Sequence, residues 1–192
     1  MGKVLKKVLS VVLLSCLVLS IASCSGGVKS KTTDQFKKAI LNAKVGAKDN
    51  DFLPMDGKVI DIGGTDDDAE KMTGLHYGYD VTVKNGSYVN SLEAVIWNAD
   101  DNSNAEGLYS TQYKKYVESG VFDGKLSEDS ADGYKYFTLN GNLNDDLING
   151  YCYGGWYYSG NTYIYVYTIK DDDSYRGRVD KILKKLGFPT PQ

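Results

Sequence analysis

Residues 151–169 of the chain read YCYGGWYYSGNTYIYVYTI, and the sheet is expected to be organised around this stretch. It contains seven tyrosines and one tryptophan, and it carries no charged side chain. Tyrosine, isoleucine, valine and threonine favour β-strands, and the Ser-Gly-Asn sequence at 159–161 is typical of a tight turn. The stretch therefore predicts a β-hairpin whose strands cover 151–158 and 162–169.

This hairpin is expected to collect its aromatic side chains on one face. A two-residue turn at 160–161 pairs Tyr158 with Tyr163, and side chains alternate between the two faces along each strand. The shared face then consists of five aromatic residues: Trp156, Tyr158, Tyr163, Tyr165 and Tyr167.

The opposite face of the second strand carries Ile164 and Val166. These are better core residues than tyrosine, because a buried tyrosine hydroxyl needs a hydrogen-bond partner. We therefore expect the aromatic row to face outward, where it offers apolar area for a saccharide, a peptide or a protein partner. Two alternatives stay open: tyrosine also suits any half-exposed sheet, and an exposed margin strand could aggregate unless helices and Lys170 shield it.

Three helices are predicted around the sheet. Thr32 and Gln35 form a capping-box pattern before a helix of about ten residues. A second apolar stripe runs from Ala105 to Val117, with Asn104 as its predicted N-cap. The third helix follows the acidic run at 171–173, which favours a helix start, and it ends at Gly187.

The remaining strands complete the architecture. Residues 45–56 are interpreted as a loop, and a short strand is expected over 59–62. An Asn-Gly pair at 85–86 predicts a hairpin between 76–84 and 88–98, and 134–139 is strand-like. The predicted fold is α+β, with an antiparallel sheet, helices packed on one face, and two β-β-β-α units after the N-terminal helix.

The N-terminus has the pattern of an export signal. Three lysines precede an apolar run over 8–22, which is shorter than the roughly twenty residues of a membrane span. The sequence IASC at 21–24 resembles the lipobox of bacterial lipoproteins, which implies diacylglycerol on the Cys24 thiol and cleavage before it. The predicted organisation is a signal peptide over 1–23, a lipidated flexible spacer over 24–33, and one domain over 34–192.

Charge and cysteine content limit the partners. Loss of residues 1–23 removes three lysines and no acid, so 22 basic and 25 acidic side chains become 19 and 25, a net charge of −6. This balance argues against nucleic acid as a partner. Cys16 leaves with the signal and Cys24 takes the lipid, so Cys152 remains alone and no internal disulfide is expected.

No catalytic or cofactor motif stands out, and no cofactor is predicted. The pattern over 100–111 imitates an EF-hand but has Ala105 and Thr111 where glycine and glutamate are required. The acidic runs 66–68 and 171–173 are interpreted as loop or helix-start charges, with a weak calcium site as the alternative. The chain has one histidine, His76, and one thiol besides Cys16 and Cys24, Cys152, so these two residues are the one pair that could form a Cys-His dyad.

Three stretches carry a family resemblance: FKKAI, DNSNAEGLYSTQYKKYVESG and NTYIYVYTIKDDDSYRGRVDKILKKLGF. Together with the lipobox, they resemble small uncharacterised lipoproteins of Gram-positive bacteria. The resemblance implies an α+β domain at the outer side of the cell membrane and transfers no site residue. The predicted function is a membrane-anchored binding module that uses the aromatic face; a cell-envelope hydrolase with dispersed carboxylates is the alternative.

Overall fold

The computed structural model describes residues 27–59, 70–84, 87–145 and 149–192. Five predicted features lie wholly or partly outside the described residues: the signal peptide 1–23, Cys24, the strand 59–62 beyond its first residue, the acidic run 66–68, and the turn pair 85–86.

A seven-stranded antiparallel sheet forms the body of the domain. Its order is β1-β2-β3-β7-β6-β5-β4, so two meanders of sequential strands meet where β3 pairs with β7. The strands are β1 (Phe52–Val59), β2 (Glu70–Lys84), β3 (Ser87–Ala99), β4 (Phe122–Ala131), β5 (Tyr134–Asn144), β6 (Asn149–Ser159) and β7 (Thr162–Thr168).

The opening hairpin is confirmed in both its turn and its register. Strands β6 and β7 pair Tyr158 with Tyr163 and Trp156 with Tyr165, as the two-residue turn predicts. Gly160 has φ of 57°, which suits the turn because glycine has no Cβ to clash in the left-handed region.

Three helices accompany the sheet: α1 (Thr33–Asn42), α2 (Asn102–Tyr113) and α3 (Asp173–Leu186). The predicted capping box is present, because the Thr32 hydroxyl accepts the Gln35 N–H and the Gln35 side chain accepts the Thr32 N–H. Helix α3 ends at Gly187, which has φ of 77° as expected of a helix C-cap. Helix α2 continues into a π-helical turn, Lys114–Glu118.

Two hydrophobic clusters lie on opposite faces of the sheet. The first contains Ile164 and Val166 beneath α1 and α3, as predicted for those two side chains. The second contains Phe137, Trp156 and Tyr163 beneath α2. The α+β class with an antiparallel sheet is confirmed; α1 and α3 share one face, and α2 lies on the other.

Several boundaries differ from the sequence predictions. The expected loop 45–56 contains the first part of β1, whose edge position tolerates Pro54 because an edge N–H need not bond to a neighbour. Strand β4 was not predicted, and the second unit therefore has four strands instead of three. The N-cap of α2 is Asp101, whose carboxylate accepts the Asn104 N–H at 3.0 Å, and not Asn104 itself.

The start of the domain also differs from the expected flexible spacer. Residues 27–31 of the segment 24–33 lie against the body of the domain, and Val28 is buried in the first cluster. Within the described part of the segment, the domain therefore begins at residue 27, seven residues earlier than the predicted start at 34, because the apolar Val28 side chain anchors it.

Candidate functional site

The aromatic row is largely covered, so its predicted outward position is wrong for three of its five members. Trp156, Tyr158 and Tyr163 are buried, with exposures of 2%, 5% and 3%. Tyr165 and Tyr167 are partly exposed. The prediction failed because it placed no helix over the aromatic row, whereas α2 packs on that row.

Aromatic contacts hold α2 over the row. The Tyr109 ring lies 5.6 Å from Phe137, and the Tyr116 ring lies 5.5 Å from Trp156, measured between ring centroids. Phe137 and Trp156 stack at 5.0 Å with an interplanar angle of 5°. Pairs at these separations add stabilisation beyond the area that they bury. This part of the row therefore belongs to the core.

The part of the same face toward β1 and β2 is only partly covered: Val95, between His76 and Tyr165, is buried at 1% exposure, while the side chains around it keep some exposure. Register places Leu53, His76 and Glu93 on the face that carries Tyr165 and Tyr167. Leu53 is 59% exposed, and the His76 and Glu93 side chains are 19% and 21% exposed. We call this surface the open strip; it consists of Leu53, His76, Glu93, Trp97, Tyr165 and Tyr167.

Glu93 is the polar centre of the open strip. The Tyr165 hydroxyl donates to its Oε1 and the Tyr167 hydroxyl to its Oε2, each at 3.0 Å. Burial, and then the charge of Glu93, raise the pKa of both tyrosines, so each phenol stays protonated and keeps donating. A carboxylate has about four acceptor positions, so two donors leave Glu93 with capacity for a ligand.

His76, the single histidine of the chain, lies beside this carboxylate. Its Nε2 is 3.6 Å from Glu93 Oε1 and 3.3 Å from Asn90 Nδ2. Gly78 makes room for the amide, since a β-carbon at that position would lie 2.5 Å from Asn90 Oδ1. The strip and the adjoining Asn90 thus offer an imidazole, an amide and a carboxylate within one small area.

Trp97 supplies a flat apolar surface at the other end of the strip. Gly74 lies opposite it on β2, and a β-carbon there would come within 2.7 Å of the indole Cε3 and 3.0 Å of Cζ3. The indole therefore lies over the glycine, and its side chain is half-buried. Sequence analysis did not select Trp97 or Glu93, because the pairing of β3 with β7 was not predicted.

A separate groove of about 490 Å³ lies between the end of α2 and strands β4 and β5. Tyr113 donates to Glu128 at 2.8 Å across it, and this hydrogen bond raises the pKa of that phenol. Its lining includes three carboxylates, three tyrosines and two lysines, namely Glu118, Glu128, Asp129, Tyr109, Tyr113, Tyr136, Lys114 and Lys135.

The thiol of Cys152 is unsuited to nucleophilic chemistry. It is fully buried, and burial raises its pKa, which keeps it protonated. The polar partners of His76 are Asn90 and Glu93 rather than this thiol. The geometry of the described residues does not assemble the Cys-His dyad that sequence analysis left open.

The acidic run at 171–173 belongs to the start of α3. Asp172 caps the helix by accepting the Ser174 N–H at 2.8 Å, and Arg176 pairs with both Asp171 and Asp173. Within 27–59, 70–84, 87–145 and 149–192, no group of three or more histidine, cysteine, aspartate or glutamate side chains is placed to hold a metal ion.

Comparison with known proteins gives no relative: no protein-family model, no curated protein and no solved structure matches the chain. In the part of the chain that the structure describes, none of the helices is both long and apolar enough to cross a membrane.

Proposed function

We propose that this protein is an extracytoplasmic binding module, held at the cell membrane by lipid on Cys24, and that a neutral saccharide chain binds along the open strip. The observation that carries this proposal is the Trp97 indole lying over Gly74 on the same sheet face as a hydrogen-bonded, partly exposed carboxylate. Binding, and not catalysis, is the proposed role.

The strip combines the two contacts that a sugar ring uses. An indole on the sheet face offers apolar area to the C–H face of a pyranose, and it loses little conformational entropy when the ligand binds. Glu93 is held by two phenols and still has acceptor capacity for sugar hydroxyls. Pre-ordered polar groups favour binding because they need not be immobilised by the ligand.

Charge supports a neutral ligand over an anionic polymer. Among the described residues, the strip contains the Glu93 carboxylate and neither lysine nor arginine. The proposed mature chain also has a net charge of −6. A polyphosphate or an acidic peptide would meet repulsion on this face.

The binding test uses N-acetylglucosamine oligomers and the intrinsic fluorescence of the protein. Of the two tryptophans, Trp156 is buried at 2% exposure, so a change on ligand addition reports Trp97. Trp97→Ala is expected to remove binding, and Glu93→Gln is expected to weaken it about tenfold, equivalent to about 1.4 kcal/mol.

Leu126→Ala serves as the matched control for this test. Leu126 is an exposed apolar side chain on the same sheet face, but it lies on β4, beyond α2. This variant should bind as the wild type does, measured by calorimetry for all variants. Equal affinity of Trp97→Ala and the wild type for the oligomers would contradict the proposed saccharide site. If the protein binds members of a peptide library and no saccharide, the ligand of the strip is a peptide instead of a saccharide.

The anchor is tested separately by mass spectrometry of protein purified from its native host. The proposed protein begins at Cys24 and carries diacylglycerol on its thiol; Cys24→Ser should release the domain from the membrane fraction. Two acyl chains are expected to hold the protein firmly, because a single chain gives only reversible binding. An intact leader on the purified protein would contradict the anchor.

The alternative function, a cell-envelope hydrolase, is favoured by one feature, the groove between α2 and β4. Glu118, Glu128 and Asp129 line it, and a glycosidase needs two carboxylates on either side of a glycosidic bond. Release of reducing ends from purified cell wall, abolished by Glu128→Gln, would support this alternative. Under the binding proposal, neither the wild type nor the variant releases reducing ends.

A further inference from the structure

The segment before α1 is attached to the domain by several contacts. Val28 is 5% exposed and belongs to the cluster beneath α1 and α3. A β-carbon at Gly27 would come within 2.6 Å of the Tyr134 ring, so the backbone passes closely over β5. Residues 27–31, which we call the strap, therefore run along the domain.

Hydrogen bonds fix the strap to the start of β7. The hydroxyl oxygens of Ser30 and Thr162 lie 2.6 Å apart, and the Thr162 hydroxyl also lies 3.3 Å from the Lys31 carbonyl oxygen. Lys31 Nζ lies 5.9 Å from the centre of the Phe188 ring, within the range of a cation–π contact. Apolar, hydrogen-bonding and cation–π contacts thus attach four of the five strap residues, namely Gly27, Val28, Ser30 and Lys31.

These contacts all lie at one end of the sheet, which we call the turn end. There the Gly160 N–H donates to the Gly133 carbonyl at 3.1 Å, which joins the β6–β7 and β4–β5 turns. The Ala99 N–H donates to the Asn161 carbonyl at 2.9 Å, which adds the end of β3. The β2–β3 hairpin points away from this end, because β3 runs from Ser87 to Ala99.

We propose that the strap holds the turn end of the sheet against the lipid surface, so that the domain stands on the membrane in one orientation; this rests on the proposed lipid on Cys24. Cys24 precedes Gly27 by three residues, and three residues of extended chain span at most about 11 Å. With the strap docked, the anchor cannot reach the far end of the sheet.

The orientation sets the distance of each part of the open strip from the bilayer. Trp97 is two residues from the end of β3 and lies close to the membrane, and Glu93 is about 13 Å farther along the strand. The hairpin pair Thr82 and Val89 is about 33 Å from Ala99 at the same rise per residue. A saccharide on the open strip would therefore be one that lies next to the bilayer.

Charge does not provide this orientation. In its described loops the turn end carries Asp100, Asp101 and Asp132, while the strap contributes Lys29 and Lys31. Anionic lipid would repel the three carboxylates. Attachment through the strap is therefore what keeps this end at the membrane.

The test places a fluorophore at either end of the full lipidated protein in vesicles that contain a nitroxide headgroup lipid. Asp132→Cys labels the turn end and Thr82→Cys labels the hairpin; both positions are exposed, whereas Cys152 is buried and does not compete for the label. We expect the label at residue 132 to be quenched several-fold more strongly than the label at residue 82.

A strap variant provides the second comparison. Val28→Asp with Ser30→Ala should detach the strap and bring the two labels to similar quenching, while the exposed Lys29→Ala should keep the difference. If the two labels are quenched equally in protein with an unaltered strap and with lipid on Cys24, the proposed orientation is wrong while the lipid anchor stands. A mass without lipid at Cys24 overturns the anchor as well, so the two failures are told apart.

Discussion

Trp97 lies over Gly74, and the absence of a side chain at residue 74 is what allows the indole to approach the sheet. A β-carbon built on Gly74 would meet the indole at 2.7 Å and the carbonyl oxygen of Ile96 at 2.7 Å. Contacts below 3.0 Å require a shift of one partner. The position of the proposed sugar-stacking surface therefore depends on a glycine in the neighbouring strand.

Gly74→Ala is predicted to displace Trp97 and to lower the free energy of unfolding by about 1–3 kcal/mol, because added volume in a packed position forces side-chain and backbone shifts. In a Trp156→Phe background, the emission of the remaining tryptophan should shift to longer wavelength. Thr73→Ala, at an exposed neighbouring position, should leave the emission unchanged. An unchanged spectrum in Gly74→Ala would show that the indole does not rest on this residue.

Two tyrosines on β7 should respond in opposite ways to loss of their hydroxyl. Tyr163 Oη is buried and has no hydrogen-bond partner among the described residues, whereas the Tyr167 hydroxyl donates to Glu93 at 3.0 Å. Tyr163→Phe is expected to be neutral or to stabilise by about 1 kcal/mol, since it removes an unsatisfied polar group. Tyr167→Phe should destabilise by about 1.5–3 kcal/mol, as loss of a bond to a charged group does.

Urea denaturation of the two variants measures this difference directly, and Phe retains the ring contacts in both. The same loss of stability in Tyr163→Phe and Tyr167→Phe would contradict the assigned hydrogen bonding. The two residues share a strand and a sheet face, so they differ chiefly in the partner of the hydroxyl.

Gly154 is predicted to be intolerant of any side chain. A β-carbon there would lie 2.3 Å from Tyr167 Cβ and 2.4 Å from the Val166 carbonyl oxygen, and the backbone atom cannot move without breaking the sheet. Gly154→Ala should cost about 3 kcal/mol or more. Thermal unfolding should show a large fall in the midpoint, or no folded protein.

Gly107→Ala is the matched control for that substitution. Gly107 is exposed in α2, and a β-carbon there would meet no atom within 4 Å. Alanine should raise the free energy of unfolding by about 0.5–1 kcal/mol, because glycine is a poor helix former. Destabilisation by Gly107→Ala would show that the local conformation of α2 requires glycine.

The domain is predicted to lose stability steeply above pH 10. Burial raises the pKa of Tyr77 to about 12, and burial also raises the pKa values of seven other core tyrosines. These are Tyr109, Tyr116, Tyr153, Tyr157, Tyr163, Tyr165 and Tyr167. Their contribution is complete below the unfolded pKa of about 10, and it is lost as pH rises toward the higher folded values.

Each such tyrosine lowers the free energy of unfolding by about 1.4 kcal/mol per pH unit above pH 10, because the unfolded chain releases the proton and the folded chain keeps it. Several together can exceed the 5–15 kcal/mol of a typical domain within about one or two pH units. Tyrosinate absorbance near 295 nm and circular dichroism should therefore change together. Full ionisation with the fold intact would contradict the burial.

Local signals predicted those parts of the fold that local chemistry determines. The capping box at Thr32, the glycine cap at Gly187 and the register around Gly160 each depend on a few neighbouring residues, and the structure confirms all three. Strand β4 escaped prediction because its ten residues lie at an exposed edge and show no regular alternation of apolar side chains.

The open strip depends on tertiary structure. Its residues come from β1, β2, β3 and β7, and only the pairing of β3 with β7 brings Glu93 beside Tyr165 and Tyr167. Glu93 stands among apolar residues of its strand, and this could have marked it as a site residue. A carboxylate on a sheet face rich in tyrosines needs hydrogen-bond donors, which tyrosine hydroxyls can supply. The apolar stripe of α2 predicts that the helix packs on the sheet, but it does not indicate on which face. The covering of the aromatic row by α2 was therefore not predictable from the sequence.

The order of the sheet has a consequence for how the chain folds. Every strand pair joins neighbours in the sequence except β3 with β7, where the bond from Thr168 to Ser91 closes a separation of 77 positions. Local hairpins form in microseconds, whereas distant pairing must first overcome the entropy of closing a long loop. The two meanders are therefore expected to form early, and their joining is the step that sets the folding rate.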